Sequence, residues 1–259
     1  MNPQKIAARA MVAAASAFLT APALAACELA SGERTAALVE LYTSEGCSSC
    51  PPADRQMSHL QEALGAGAVA VPLALHVGYW DYIGWKDPYA QPAFAERQER
   101  LVHANGQRTL YTPQFFVNGA ELRARRTTLR DEVRRLNALP PAATIHLQAA
   151  FAGKALHLSA EAASTSNAPS LALYVALTES RLASKVSRGE NAGATLAHDH
   201  VVRLWLGPVR LASAGARVER EIELPAAWQR SHLELAAFVQ DEQSGRVLQA
   251  VGGRCSAGS

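Results

Sequence analysis

The sequence predicts an α/β first half followed by an antiparallel, β-rich, sandwich-like second half. Three observations carry this. Strand and helix signals alternate as far as Leu139, Pro140-Pro141 interrupts the chain, and beyond them short runs alternate apolar and polar residues with hardly any helical spacing. The expected division is an α/β domain over 27–140 and a β-rich accessory domain over 141–259, after a leader over 1–26.

The leader reading rests on Lys5 and Arg9, which make a positive start, the apolar stretch Ala10 to Thr20, and the small residues Ala23-Leu-Ala25 before Ala26. These fit an export signal with its cleavage site, and the apolar stretch falls short of the roughly 18–20 residues that span a bilayer. The expectation is therefore a bacterial envelope protein, periplasmic or secreted. Leu24-Ala25-Ala26-Cys27 also matches a lipoprotein acylation site, which would place a lipid anchor on Cys27. Cysteine parity favours the alternative, a Cys27–Cys255 disulfide, because Cys47 and Cys50 account for each other and an oxidising compartment disfavours a lone thiol.

Ala36 to Thr43 is an apolar run that reads as a buried strand. Ala53 to Leu64 places Met57, Leu60, Ala63 and Leu64 at helical spacing and stops at Gly65 and Gly67. Val69 to Val77 reads as a second strand, with Pro72 arguing against a central position for its first part. Ala93 to Ala104 is a charged helix ended by Asn105-Gly106, and Pro113 to Val117 a short strand closed by the hairpin signal Asn118-Gly119. Thr127 to Leu139 is a helix with Thr127 as its N-cap. Strand-like runs follow at Ile145 to Gln148, Leu156 to Ser159, Leu171 to Thr178, Val201 to Leu206, Val218 to Leu224, Leu233 to Val239 and Arg246 to Val251.

A hydrophobic content of 49% with 19% charged residues is that of a globular chain, and a net charge of +2 gives no reason to expect nucleic acid or an acidic membrane as a partner. The arginines at 123, 125, 126, 130, 134 and 135 are interspersed with Asp131 and Glu132 and read as a solvated helix face. No Walker loop, dinucleotide fingerprint or His-Glu-x-x-His occurs.

The chemistry-bearing motif is Cys47-Ser-Ser-Cys50, placed between a strand and a helix that opens with Pro51-Pro52. A thiol attacks a disulfide as the thiolate, and a helix N-terminus favours that anion through unpaired N–H groups and the positive end of the dipole. Cys47 is the expected attacking thiol and Cys50 the resolving one. Tyr111-Thr112-Pro113-Gln114 follows about 63 residues later, at the start of a strand. The two motifs in this order resemble the thioredoxin superfamily. The resemblance implies a cis Thr112–Pro113 bond and a Thr112 backbone that pairs with the substrate chain. More specifically, the run Val39 to Asp54, the segment His76 to Tyr89, Tyr-Thr-Pro-Gln and Gly189-Glu-Asn-Ala-Gly193 resemble a family of bacterial secreted, thioredoxin-like proteins filed as domain of unknown function 1223. That resemblance supplies no substrate.

Val77 to Tyr89 holds five of the sixteen aromatics, of which Trp80, Tyr82 and Trp85 are expected to pack the loop onto the body or the second domain rather than to form a client platform. His76 and Asp81 are candidates for assisting proton transfer, and His198-Asp199-His200 would put two imidazoles on one side of a strand, expected to be exposed strand histidines rather than a copper or zinc pair, which needs more ligands. The leading expectation is an exported thiol-disulfide oxidoreductase that needs no bound organic cofactor, only a protein or small thiol/disulfide substrate and a redox partner. The rivals are an envelope copper-binding protein using the same dithiol, and an interaction module whose disulfide stays closed.

Overall fold

A computed structural model describes residues 26–123, 127–166 and 168–254. Strand β1 (Ala26–Ala30) comes first, then β2 (Ala37–Thr43), helices α1 (Pro51–Ser58) and α2 (Leu60–Leu64), and β3 (Ala70–His76). A 3-10 turn over Gly78–Ile83 leads to α3 (Pro92–Ala104), β4 (Gln114–Val117), β5 (Ala120–Glu121) and α4 (Leu129–Asn137). After it come β6 (Ala143–Ala152), β7 (Ala155–Ser164), β8 (Leu171–Glu179), β9 (Leu182–Lys185) and β10 (Thr195–His198). The chain finishes with β11 (Val201–Arg210), β12 (Ala216–Glu223), β13 (Leu233–Asp241) and β14 (Val247–Arg254). The result is a mixed α/β protein, rich in sheet, with four α-helices among the described residues.

Eight strands form one sheet in the order β14-β13-β8-β11-β3-β2-β4-β5, and four form a second in the order β1-β6-β7-β12. In the large sheet β2 and β11 run parallel to β3, and the remaining pairings are antiparallel. Strands from both sides of Pro140-Pro141 share it, and β1 joins β6 in the smaller sheet.

Every residue of β2 is buried, which explains its unbroken apolar run. Ala37, Val39 and Leu41 face Met57, Leu60, Leu64, Val133 and Leu136 of α1, α2 and α4. Leu38 and Tyr42 face Phe94, Leu101 and Val102 of α3 on the other side. Strand β8 is likewise buried throughout, with Leu173 and Val175 packing against Ile145, Leu147 and Leu158 of the smaller sheet. By contrast β6 alternates buried and exposed residues along Ala143 to Ala149, since one of its faces is solvated.

Local differences from the sequence expectation have physical reasons. The helix expected over Ala53 to Leu64 breaks at His59, whose ring Nδ1–H donates to the Arg55 carbonyl oxygen at 2.8 Å. Thr128, not Thr127, caps α4, its hydroxyl accepting from the Asp131 N–H. Strand β3 is central in the sheet order, but its contact with β11 begins at Ala74, so Pro72 sits where that side has no ladder partner.

Candidate active site at the Cys47–Cys50 disulfide

The loop after β2 turns tightly: the Cys47 N–H donates to Ser44 O and the Cys50 N–H to Cys47 O, at 3.1 and 3.2 Å. Cys50 is the N-cap of α1, with Pro51 and Pro52 in the first turn, where their missing N–H groups cost little. Cys47 and Cys50 are joined in a disulfide with their Cα atoms 5.4 Å apart. Both are buried, at 1% and 0% exposure, while Ser48 and Ser49 are exposed. The disulfide is therefore shielded from solvent. Cys255, the expected partner of Cys27, lies outside the described residues, as do residues 1–25 of the expected leader.

Two walls enclose this loop. One is aromatic: a Cβ on Gly46 would sit 2.9 Å from Cβ of Trp80, so the glycine lets that residue close in. Trp80 donates its indole N–H to the Thr112 hydroxyl at 2.8 Å, linking the cysteine loop to the Thr112–Pro113 bond, which is cis. The other wall comes from far along the chain. The Ser48 N–H donates to Glu190 Oε2 at 2.8 Å, and Asn191 Nδ2 donates to the carbonyl oxygens of Glu45 and Cys47 at 2.8 and 3.0 Å. On the open side, a cleft of about 930 Å³ runs past Ser49, Pro52, Tyr111, Pro113 and Phe115. Gln98 of α3 fixes its rim, donating to Tyr111 O at 2.8 Å.

Beneath the loop lies a cluster of buried ionisable groups: Glu45, Asp54, His76, Asp87 and His198. His76 Nδ1 pairs with Asp87 Oδ2 at 2.8 Å, and the same carboxylate oxygen accepts from the Glu45 N–H. His198 Nε2 meets Glu45 Oε1 at 3.1 Å, Trp85 donates to Glu45 Oε2, and the Thr43 hydroxyl donates to Asp54 Oδ1. The His76 and His198 rings stand edge to face at 4.9 Å. Among the described residues, His76 Nε2 is the buried side-chain polar atom left without a hydrogen-bond partner.

Electrostatics follow from this packing. Burial works against a charge on His76, but Asp87, Asp54 and Glu45 outweigh it and raise its pKa. Burial also opposes the charge on Asp87, yet His76 and the N–H groups of Glu45 and Tyr89 hold its carboxyl below the usual range. Burial pushes the Asp54 carboxyl up, against the pull of His76, His198 and the Thr43 hydroxyl. Both shifts favour the charged forms of His76 and Asp87 together, and burial biases Asp54 toward its neutral form.

The structure brings Cys47, Cys50, Thr112 and Pro113 into one region, with Trp80 between the cysteine loop and Thr112. His76 is in the cluster, but Asp81 accepts from the Asp87 N–H within its own turn, and Asp87 partners the imidazole instead. The expectation of exposed, same-side histidines at 198 and 200 is corrected. His198 ends β10 and is buried against Glu45, whereas His200 lies in the turn before β11, with φ of 57°, and meets Glu234 at 3.0 Å. Among the described residues no group of three or more His, Cys, Asp and Glu side chains is arranged to hold a metal ion. Trp80 and Trp85 pack inward as expected, bonded to Thr112 and Glu45, but Tyr82, expected with them, is exposed; Tyr79 packs onto Gln98 and Tyr89 against both buried histidines. Sequence reasoning did not single out Glu45, Asp87, Glu190 and Asn191 as site residues; their signal was that the cysteine run, His76 to Tyr89 and Gly189 to Gly193, which hold them, fall in one family resemblance.

Fold and site define a mixed α/β protein with a buried Cys-x-x-Cys disulfide in the loop between a strand and a helix. The chain belongs to the family described as protein of unknown function (DUF1223), whose model matches residues 38–240. Among solved structures it is similar to the crystal structure of protein AGR_C_4864 from Agrobacterium tumefaciens, with a TM-score of 0.57 and 24% identity, covering 88% of this chain and 98% of that one. It is also similar to HBP35 of Porphyromonas gingivalis, with a TM-score of 0.67 and 14% identity, covering 86% of this chain and 76% of that one. No curated protein sequence matches the chain.

Proposed function

We propose that the chain is a thiol-disulfide oxidoreductase with a thioredoxin-like core, exported to the bacterial envelope. The observation that carries this reading is one cleft lined by Ser49 and Pro52, on the two sides of Cys50, and by Pro113 of the cis Thr112–Pro113 bond, with the Cys47–Cys50 disulfide buried at the start of α1. In the reduced chain Cys47 attacks a client disulfide as the thiolate and forms a mixed disulfide, releasing the first client thiol. Cys50 then attacks the Cys47 sulfur, closing the protein disulfide and releasing the second. The backbone at Thr112 docks the client beside the cysteines. A Cys50→Ser chain is expected to accumulate mixed disulfides through Cys47, visible by mass spectrometry after acid quenching. Recovery of none, or full disulfide exchange by a Cys47→Ser chain, would refute the assignment.

A second reading, an interaction module with a permanently closed disulfide, is favoured by the burial of both sulfurs and by the clamp from Glu190 and Asn191. A reduction potential below about −300 mV supports it over a working site. Soft-metal binding by the dithiol has less support, because His198 and His200 engage separate carboxylates.

A further inference from the structure

We infer that Glu190 is a positioning residue that shifts the Cys47–Cys50 pair toward its disulfide form, by holding a carboxylate at the mouth of the cysteine loop where it disfavours the Cys47 thiolate. The inference rests on the oxidoreductase reading and adds to it a side chain that biases the pair toward giving up electrons.

Three observations carry it. The Ser48 N–H, a donor of the loop that bears Cys47, is taken by Glu190 Oε2 at 2.8 Å. A thiolate formed at Cys47 would find that donor occupied and a negative charge in its place. The hold is not casual, since the neighbouring Asn191 ties the same loop through the carbonyl oxygens of Glu45 and Cys47. Thirdly, the titratable groups around the loop are mostly carboxyls: Glu45 lies in the loop itself, Asp54 on α1 and Asp87 after the 3-10 turn, with Glu190 above. Burial biases Asp54 toward its neutral form and Asp87 is matched by His76 of β3, while His198 of β10 meets Glu45, so Glu190 is the carboxylate at the loop with no histidine against it. Among the described residues, none of the side chains hydrogen-bonded to residues 44–50 is lysine or arginine. The Ser48 N–H and hydroxyl hold the Glu190 carboxyl below its usual range, so it carries its charge at neutral pH.

The thermodynamic consequence has a definite sign. A site that stabilises the thiolate stabilises the reduced form and makes the disulfide a strong oxidant. An anion at the same place does the reverse and favours the disulfide. The reduced chain then passes two electrons to a client disulfide: the Cys47–Cys50 bond forms, the client S–S bond breaks, and the two thiol protons end on the two client thiols. A dithiol donor must return two electrons and two protons to close the cycle.

The test uses the mature chain equilibrated in glutathione and dithiothreitol redox buffers, with Glu190→Gln and Asn191→Ala beside the wild type. Glutamine keeps an acceptor for the Ser48 N–H but removes the charge. It is expected to shift the equilibrium toward the dithiol roughly two- to fivefold, the range of a single charge at a helix start. It is also expected to move the pH profile of Cys47 alkylation by iodoacetamide to lower pH, and the difference from wild type should shrink in 1 M salt, where the Debye length falls to about 3 Å. Asn191→Ala, which loosens the loop without altering charge, should raise the alkylation rate at every pH and leave the profile in place. An unchanged equilibrium and profile for Glu190→Gln, in a wild-type pair that does exchange, overturns this inference alone. A wild-type pair that exchanges with neither buffer overturns the oxidoreductase reading with it.

Discussion

At Gly119 a single hydrogen atom decides whether two parts of the chain can meet. Asn118 and Gly119 both adopt positive φ, at 46° and 81°, and a Cβ on Gly119 would land on the carbonyl oxygen of Gly245. The Asn118 side chain meanwhile accepts from the Leu38 N–H, and its carbonyl accepts from Val247, so the turn joins β2 to β14. Gly119→Ala is expected to lose about 3–4 kcal/mol in urea unfolding, combining the φ strain with the collision. The His76–Asp87 pair makes a second prediction, in pH. The raised folded pKa of His76 gives a contribution that is complete below its ordinary 6.5 and lost as pH rises through the folded value. The lowered folded pKa of Asp87 gives one that is complete above its ordinary 3.8 and lost as pH falls through its folded value. The destabilisation caused by Asp87→Asn should therefore be larger at pH 5.5 than at pH 9, measured by denaturant unfolding. Asn118-Gly119 was legible in the sequence because turn chemistry is local. Asp87 was not, because its partner depends on how a loop folds back onto β3.

Among elements, α3 shows how a charged helix can lie in a core. Arg97 is buried, donates to both carboxylate oxygens of Glu40 on β2 and to Gln240 on β13, and has the rings of Tyr174, Trp205 and Phe238 within 5.3 Å. Removing one partner strands a buried charge, so Arg97→Ala should cost about 3–5 kcal/mol, while replacing both by Arg97→Met with Glu40→Leu should cost far less. Thermal melts of the three chains test this. A smaller effect belongs to α4, where Thr128→Ala removes the cap and is expected to lose about 1 kcal/mol. The positions of most elements were legible from periodicity and from Gly, Pro and Asn stops. The break at His59 was not, because it depends on a side chain competing for a backbone carbonyl inside an otherwise continuous pattern.

Over the whole molecule, the change from α/β pattern to period-two strands at Pro140-Pro141 was legible, but the sharing of one sheet across it was not. Single-sequence periodicity states which residues lie in strands and is silent on which strands pair over long separations, such as β2 with β3 on one flank and β11 with β8 on the other. For the same reason the cysteine motif was visible while its surroundings were not. The cleft side is built within residues 49–123, but Glu190, Asn191 and His198 arrive from the far half of the chain. That separation sets an order of events during synthesis. Glu190 follows Ser48 by 142 residues, so at roughly 5–20 residues per second the two thiols are made about 7–30 s before the segment that will cover them. In that interval the pair meets whatever oxidant or reductant surrounds the nascent chain with no clamp in place, and the length of the interval is set by translation rather than by any opening of the finished fold.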